Sequence, residues 1–194
     1  MSDTATMKIM AELVPVGSRV LDLGCGDGAM LAYLQQVRGC TGYGIEIDDA
    51  NVLAAVKNGV NVSQSDLEAG LSGFEDASFD HVVLSQTLQA MRHTEAIVFE
   101  MLRVGREAVV SFPNFGYWKH RMDILQGHMP VSERLPYQWY DTPNIHLCTI
   151  ADFDDFCARR NIVVKERRVF DEGRLITEEQ NFLGSLAVYR ITRG

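Results

Sequence analysis

The chain has 194 residues, of which 46% are apolar, and a domain of this size buries about 70% of the surface that its unfolded form exposes. A stable core therefore requires neither a structural metal nor a disulfide, and no metal site is expected. Lys and Arg number 18 against 26 Asp and Glu, which gives a net charge of −8. No basic cluster interrupts this acidic balance, so nucleic acid and anionic membranes are not expected as partners.

Short strands alternate with amphipathic helices in the first part of the chain. β-Rich runs predict strands at residues 19–23, 41–47, 60–63, 79–84 and 107–112. Apolar residues recurring every three or four positions predict helices at residues 30–37, 50–58 and 94–104. Strands that are joined by crossover helices run parallel, so this order predicts an α/β fold with a mostly parallel sheet.

The C-terminal part predicts one more helix and two more strands. Thr149 and Asp152 form a capping-box pattern that opens a helix. Strands are predicted at residues 163–170 and 185–191, and these two strands are expected to pair antiparallel at the edge of the sheet. The prediction is therefore a seven-stranded sheet with an antiparallel C-terminal edge strand and helices on both faces.

Residues 113–148 depart from this rhythm. They contain four of the five prolines, both tryptophans and three of the five histidines, which predicts an excursion above the strand ends. Residues 171–180 resemble a linker, but no other boundary is visible. The whole chain, residues 1–194, is therefore predicted to form a single domain.

Cysteine content and hydropathy predict the cellular compartment. The four cysteines form no C-x-x-C pair, and an oxidised scaffold is unnecessary at this length: Cys25, Cys40, Cys148 and Cys157. No window has the roughly 20 apolar residues that a membrane-spanning helix requires. We expect a cytoplasmic protein with reduced thiols.

A glycine-rich turn follows the first predicted strand. Gly24, Gly26 and Gly28 stand at alternate positions between this strand and a helix, the context of a nucleotide-binding turn. Asp22 and Asp27 would repel a pyrophosphate but suit a ligand with an ammonium and a sulfonium, while the helix N-terminus receives its carboxylate. S-adenosylmethionine has this combination of charges. The alternative is a structural turn with two solvated aspartates.

Polar residues after the next strands extend the candidate site. Glu46 ends the second strand, where an acid meets ribose hydroxyls in this architecture. Asp66 and Leu67 follow the third strand, where a carboxylate and an apolar side chain suit adenine, although Asp66 is also a typical turn or cap residue. Ser85-Gln86-Thr87 follows the fourth strand and is a candidate lining for the methyl end of the pocket, although Ser85 is equally a candidate cap for the next helix. Asp48 and its neighbour Asp49 are interpreted as helix caps.

Together these motifs resemble the class I S-adenosylmethionine-dependent methyltransferases, whose fold is Rossmann-like. The matching motifs are Asp22-Leu23-Gly24-Cys25-Gly26-Asp27-Gly28, Gly44-Ile45-Glu46 and Ser65-Asp66. The resemblance implies S-adenosylmethionine or S-adenosylhomocysteine as cofactor. The expected cofactor-binding residues are Asp22, Gly24, Cys25, Gly26, Gly28, Glu46, Ile47, Asp66, Leu67 and Ser85.

A narrower resemblance to the MetW family of methionine biosynthesis covers about residues 14–191. Three segments carry it: residues 111–118, 135–137 and 143–149. It implies an accessory subunit of the homoserine O-acyltransferase MetX. The alternative is an active methyltransferase that acts on a small-molecule acceptor, so whether the chain is an enzyme stays open, as does its oligomeric state.

The excursion supplies the candidates for contacts with an acceptor. His146 is the best candidate base because imidazole titrates near neutrality, and Asn114 and Tyr117 are further candidates for catalysis, followed by His120 and Tyr140. Structural roles are expected to be commoner for each of them taken singly. The aromatic residues of this excursion are typical both of a lid over a cofactor and of a protein interface: Phe115, Tyr117, Trp118, Tyr137, Trp139 and Tyr140.

Overall fold

Eight β-strands form one sheet in the computed structural model, which describes residues 3–194. The strands are β1 (Arg19–Leu23), β2 (Thr41–Glu46), β3 (Val62–Gln64), β4 (Phe79–Ser85), β5 (Gly105–Pro113), β6 (Ile162–Asp171), β7 (Arg174–Ile176) and β8 (Leu186–Arg193). Their order across the sheet is β3-β2-β1-β4-β5-β8-β6-β7. Neighbouring strands from β3 to β5 are parallel, so their carboxyl ends meet at one edge of the sheet.

Seven α-helices and two 3₁₀ helices complete the described elements. The α-helices are α1 (Asp3–Glu12), α2 (Ala29–Arg38), α3 (Asp49–Lys57), α4 (Thr94–Val104), α5 (Trp118–Leu125), α6 (Ile150–Arg159) and α7 (Gln180–Leu183). The first 3₁₀ helix (Leu67–Ala69) follows β3, and the second 3₁₀ helix (Leu88–Ala90) follows β4. Both 3₁₀ helices therefore stand at the carboxyl edge of the parallel strands.

Two hydrophobic cores cover the two faces of the sheet. Successive side chains of a strand point to opposite faces, so Val20 of β1 packs with α1 and α2 while Leu21 packs with α4 and α6. The same alternation holds on β4, where Val83 lies in the core with α1 and α2, and Val82 lies in the core with α4 and α6. The predicted Rossmann-like architecture with helices on both faces is confirmed.

The sheet differs from the prediction in its C-terminal part. It has eight strands rather than seven, because residues 171–180 are not a linker: β7 forms a hairpin with β6. β8 pairs antiparallel with β6, as predicted, but it lies between β5 and β6 rather than at the edge. Residues 186–189 are wholly buried, as expected for an interior strand covered on both faces.

Several local predictions are confirmed and a few elements were not predicted. α4 has the predicted bounds, and α6 opens with the Thr149–Asp152 capping box. α1, α5 and α7 had no strong periodic signal and are additional. Within residues 3–194, no helix has the length and apolarity to cross a membrane, and no three His, Cys, Asp or Glu side chains group as metal ligands.

Candidate functional site

A cleft lies at the carboxyl edge of the parallel strands, between the glycine-rich turn and the two 3₁₀ helices. Its volume is about 300 Å³, at the small end of ligand-binding pockets. The residues that line it are Gly24, Glu46, Ile47, Ser65, Asp66, Leu67, Glu68, Thr87, Ala90 and Met91. The structure therefore brings together predicted residues from the ends of β1, β2 and β3.

The glycine-rich turn needs glycine for two separate reasons. Gly24 has φ +62°, and a Cβ there would lie 3.2 Å from the Thr87 side chain across the cleft. Gly28 has φ +77°, and a Cβ there would lie 2.9 Å from Val60. L-residues rarely adopt such φ values. A side chain at Gly24 would narrow the cleft, whereas Gly28 is required where α2 packs on the chain after α3.

Glu46 fastens the glycine-rich turn to the end of β2. One carboxylate oxygen accepts from the backbone N–H groups of Ile47 at 2.8 Å and Asp48 at 2.9 Å. The other accepts from the N–H of Gly26 at 2.8 Å. Because an ionised carboxylate has about four acceptor positions, Glu46 retains about one for a ligand, so it has a structural role in addition to its predicted contact.

Asp22 is buried behind the turn rather than in the lining of the cleft. It is 1% exposed, and its Oδ2 atom has no hydrogen-bond partner among the described residues. Burial and, secondarily, the neighbouring charge of Glu46 raise the pKa of Asp22 to about 7. A cation placed near this pair would favour the charged form of Asp22.

The first 3₁₀ helix carries the third predicted segment of the site. Asp66 caps this helix, since one of its carboxylate oxygens accepts from the N–H of Glu68 at 2.9 Å, and Asp66 also lines the cleft. Glu68 was not predicted. It accepts from the N–H of Arg92 at 2.6 Å and contacts His93 at 2.7 Å, which ties the two 3₁₀ helices together.

Of the segment expected at the end of β4, Thr87 rather than Ser85 lines the cleft. Ser85 does not line the cleft and does not cap a helix: its hydroxyl lies 3.4 Å from Ser111 on the α1 and α2 side of the sheet. Thr87, from the same predicted segment, lies opposite Gly24. Gln86, between Ser85 and Thr87, has a left-handed backbone with φ +51°.

Cys25 also lies outside the lining of the cleft. Its side chain packs beneath β2, where a Cβ on Gly44 would come within 2.4 Å of Cys25 Sγ. Burial, followed by the charges of Asp22 and Glu46, raises the pKa of this thiol to about 12. Cys25 is therefore a protonated packing residue. Gly26 and Gly28 belong to the turn but do not line the cleft either.

The three candidates for catalysis do not meet in the cleft. Asn114 is wholly buried, and its amide makes four hydrogen bonds that all go to backbone groups. Tyr117 is 3% exposed and donates to Asp171 at 3.0 Å. His146 lies beside a separate cavity, with its ring 3.3 Å from the carbonyl of Arg92.

The two remaining acceptor candidates are also elsewhere. His120 is 1% exposed and its ring contacts the Ser132 hydroxyl at 2.9 Å. Tyr140 is 70% exposed and packs edge to face against Trp139. None of these five candidates lines the cleft.

Comparison with solved structures places the fold among methyltransferases. A methyltransferase from Thermotoga maritima has a TM-score of 0.71 at 18% identity, covering 98% of this chain and 88% of the other. A methyltransferase from Mesorhizobium loti also has a TM-score of 0.71, at 16% identity, covering 97% of this chain and 98% of the other. Both are S-adenosylmethionine-dependent by name, and similarity at this level establishes the fold alone.

Comparison with known sequences identifies the family. A bifunctional methionine biosynthesis protein MetXA/MetW of Rhodopirellula baltica is 39% identical over 170 residues. The match covers 82% of this chain but spans only 27% of that protein. The model of the methionine biosynthesis protein MetW family matches residues 4–191. This chain therefore belongs to the MetW family of methionine biosynthesis proteins.

Proposed function

We propose that the cleft binds S-adenosylmethionine or S-adenosylhomocysteine. The donor set suits this ligand: Glu46 retains acceptor capacity for a ribose hydroxyl, while Asp66 and Leu67 offer a carboxylate and an apolar surface to adenine. Asp22 adds a buried carboxyl with an unpartnered oxygen behind the turn. A ligand with an ammonium and a sulfonium would stabilise its ionised form. The structural neighbours that are named for this cofactor support the same assignment.

We further propose that the chain acts as an accessory subunit of MetX, the homoserine O-acyltransferase. The observation that carries this proposal is the Rhodopirellula relative, whose name joins MetXA and MetW in one protein. Fusion holds two modules at an effective concentration of up to about millimolar, which favours modules that work in contact. The fold by itself does not imply methyl transfer, and the candidate acids and bases of the excursion lie outside the cleft.

One experiment separates the accessory subunit from a methyltransferase. The purified chain is incubated with MetX, its acyl donor, homoserine, cell extract and cofactor labelled on the methyl group. Faster acylation without transfer of label is the expected result. Label in a product together with an unchanged acylation rate would favour the methyltransferase.

The cofactor and the partner are tested separately. Calorimetric titration of the chain alone with S-adenosylmethionine and S-adenosylhomocysteine measures the cleft without MetX. Absence of binding to both would remove the cofactor proposal. Sedimentation or co-purification of the chain with MetX, in the absence of cofactor, measures the partnership on its own.

A further inference from the structure

A second cavity lies on the far side of the second 3₁₀ helix from the cleft. Its volume is about 780 Å³, well within the range of small-molecule pockets. It lies between the N-terminal halves of α4 and α6. Its apolar lining consists of Leu88, Ala96, Phe99, Cys148, Phe153 and Phe156.

The second 3₁₀ helix and its flanking residues separate the two sites. Thr87, Ala90 and Met91 line the cleft, whereas Leu88 and Arg92 line the cavity. No residue belongs to both linings. The cavity is thus a separate site, and binding in it can be measured without a cofactor in the cleft.

An unpaired arginine at the rim of the cavity offers a contact to an anion. Arg92 is exposed, and its guanidinium forms no ion pair or hydrogen bond with the residues that the structure describes. The two acids at the rim have partners: Glu95 is paired with Arg160 at 2.7 Å, and Asp152 accepts from Thr149 at 2.8 Å. Asp152 keeps its negative charge, but its hydrogen bonds are taken up in the capping box of α6. Among the described residues of the lining, Arg92 is therefore the charged side chain whose hydrogen-bond donors remain for a ligand.

The N-terminus of α4 reinforces this preference. α4 begins at the rim, and its N-cap residue His93 makes no side-chain capping bond. Free N–H groups and the aligned peptide dipoles give such a terminus a partial positive charge. Together with Arg92, it complements an anionic head group, while the aromatic floor of the cavity complements an apolar body.

We propose that this cavity binds a small amphipathic anion, with an aliphatic or aromatic body and one carboxylate, sulfonate or phosphate head group. The apolar body lies against Phe99, Phe153 and Phe156. The head group contacts Arg92. This site is distinct from the proposed cofactor cleft and is tested without cofactor.

The probe is 8-anilinonaphthalene-1-sulfonate, whose fluorescence rises when its rings leave water. Ala96→Trp fills the cavity from an exposed position of α4 and should weaken binding at least about tenfold. Arg92→Gln should weaken binding of the sulfonate about tenfold, the usual effect of losing a charge-assisted hydrogen bond. It should change binding of the uncharged N-phenyl-1-naphthylamine less than about twofold.

Matched variants control for surface changes and folding. Ala158→Trp places the same side chain on an exposed position of α6 outside the cavity, and Arg106→Gln removes an exposed Arg at the opposite end of the sheet. Both should bind the sulfonate as the unaltered protein does, and all four variants are compared at equal helicity and melting temperature. Octanoate should displace the sulfonate at lower concentrations than n-octanol.

Two results would overturn the proposal. One is sulfonate binding that is the same in Ala96→Trp and Ala158→Trp, since the probe would then lie elsewhere. The other is equal weakening of the charged and uncharged probes by Arg92→Gln, since the cavity would then have no preference for an anion. Neither result bears on binding of S-adenosylmethionine in the cleft.

Discussion

Glu46 has a structural role in the turn and a proposed role in ligand binding, and its substitution should affect both. Glu46→Gln places an amide NH₂ against at least one of three backbone N–H donors, which leaves a donor of the glycine-rich turn unsatisfied. We expect cofactor affinity to fall by roughly 1.5–3 kcal/mol, about 10- to 150-fold, together with a lower melting temperature. Calorimetric titration and thermal unfolding measure the two effects.

Asp66→Asn is the control for Glu46. The amide oxygen of Asn still accepts from the N–H of Glu68, so the cap of the first 3₁₀ helix is kept. This variant should lose cofactor affinity at an unchanged melting temperature. A Glu46→Gln protein with normal affinity would show that Glu46 only fastens the turn.

Asp22 makes stability depend on pH in an unusual direction for an acid. Its pKa is raised from 3.8 to about 7 in the folded state, so between these values the folded protein binds more protons than the unfolded chain. The free energy of unfolding therefore falls as pH rises through this interval. Asp22→Asn has no carboxyl to ionise and should not lose stability in this way. The difference in free energy of unfolding between Asp22→Asn and the unaltered protein should therefore rise by up to roughly 4 kcal/mol as pH increases across this interval.

Denaturant titrations at a series of pH values measure this difference. Asp27→Asn is the matched control, because Asp27 belongs to the same turn but is exposed. Its stability relative to the unaltered protein should change little with pH. If the two variants show the same dependence on pH, the carboxyl of Asp22 is ionised in the folded protein throughout.

Motif spacing predicts those residues of the cleft whose position is fixed by the end of a parallel strand. It does not predict residues whose position or role depends on contacts with other side chains. Gly24, Glu46 and Asp66 stand at strand ends that the parallel order brings together, and all three line the cleft. Glu68 and Met91 lie in or beside 3₁₀ helices, which are too short to have a readable period. Residue type alone also cannot show that the amide of a buried Asn is already saturated.

Three elements converge on Asn114 at the end of β5. Its amide nitrogen donates to the carbonyls of Asn181 at 3.2 Å and Gly184 at 2.7 Å. Its oxygen accepts from the N–H groups of Gly116 at 3.0 Å and Ile150 at 3.1 Å. The side chain thus joins the start of the excursion, the N-terminus of α6 and the chain before β8.

Asn114→Ala should therefore act on stability rather than on ligand binding. Leaving several buried backbone groups without partners is expected to lower the free energy of unfolding by about 3 kcal/mol. Chemical denaturation measures this loss, with the exposed Asn61→Ala as control. Unchanged stability together with lost transfer of label would return Asn114 to the catalytic candidates.

The C-terminal elements show what limits prediction of the sheet. The strand–helix alternation of residues 19–112 fixes a parallel order through its crossovers, and the structure follows it. β8 has no such constraint, because an antiparallel strand can join any free edge. Its position between β5 and β6 is decided by long-range pairing with both neighbours, which one strand's sequence does not encode. β7 has three residues, too few for a pattern.

The excursion carries several large apolar side chains that are exposed on the surface of the molecule. We define the excursion surface as Met129, Val131, Tyr137, Trp139, Tyr140, Ile145 and Leu147, each of which is at least 40% exposed. Trp139 and Tyr140 are 73% and 70% exposed, and their rings pack edge to face at 5.6 Å. Large exposed apolar patches mark interaction sites, and neither residue lines the cleft. These features favour a docking surface over a lid.

The double variant Trp139→Ala with Tyr140→Ala tests whether MetX docks on the excursion surface. Aromatic anchors at the centre of an interface typically contribute 2 kcal/mol or more, so affinity for MetX should fall at least about 30-fold. Affinity for S-adenosylmethionine should be unchanged, because the substituted rings lie outside the cleft. Tyr43→Ala removes another exposed aromatic, 49% exposed on β2, and should leave both affinities as they were. The opposite pattern in the double variant, with MetX binding intact and cofactor binding lost, would identify the excursion as a lid that closes over the cleft.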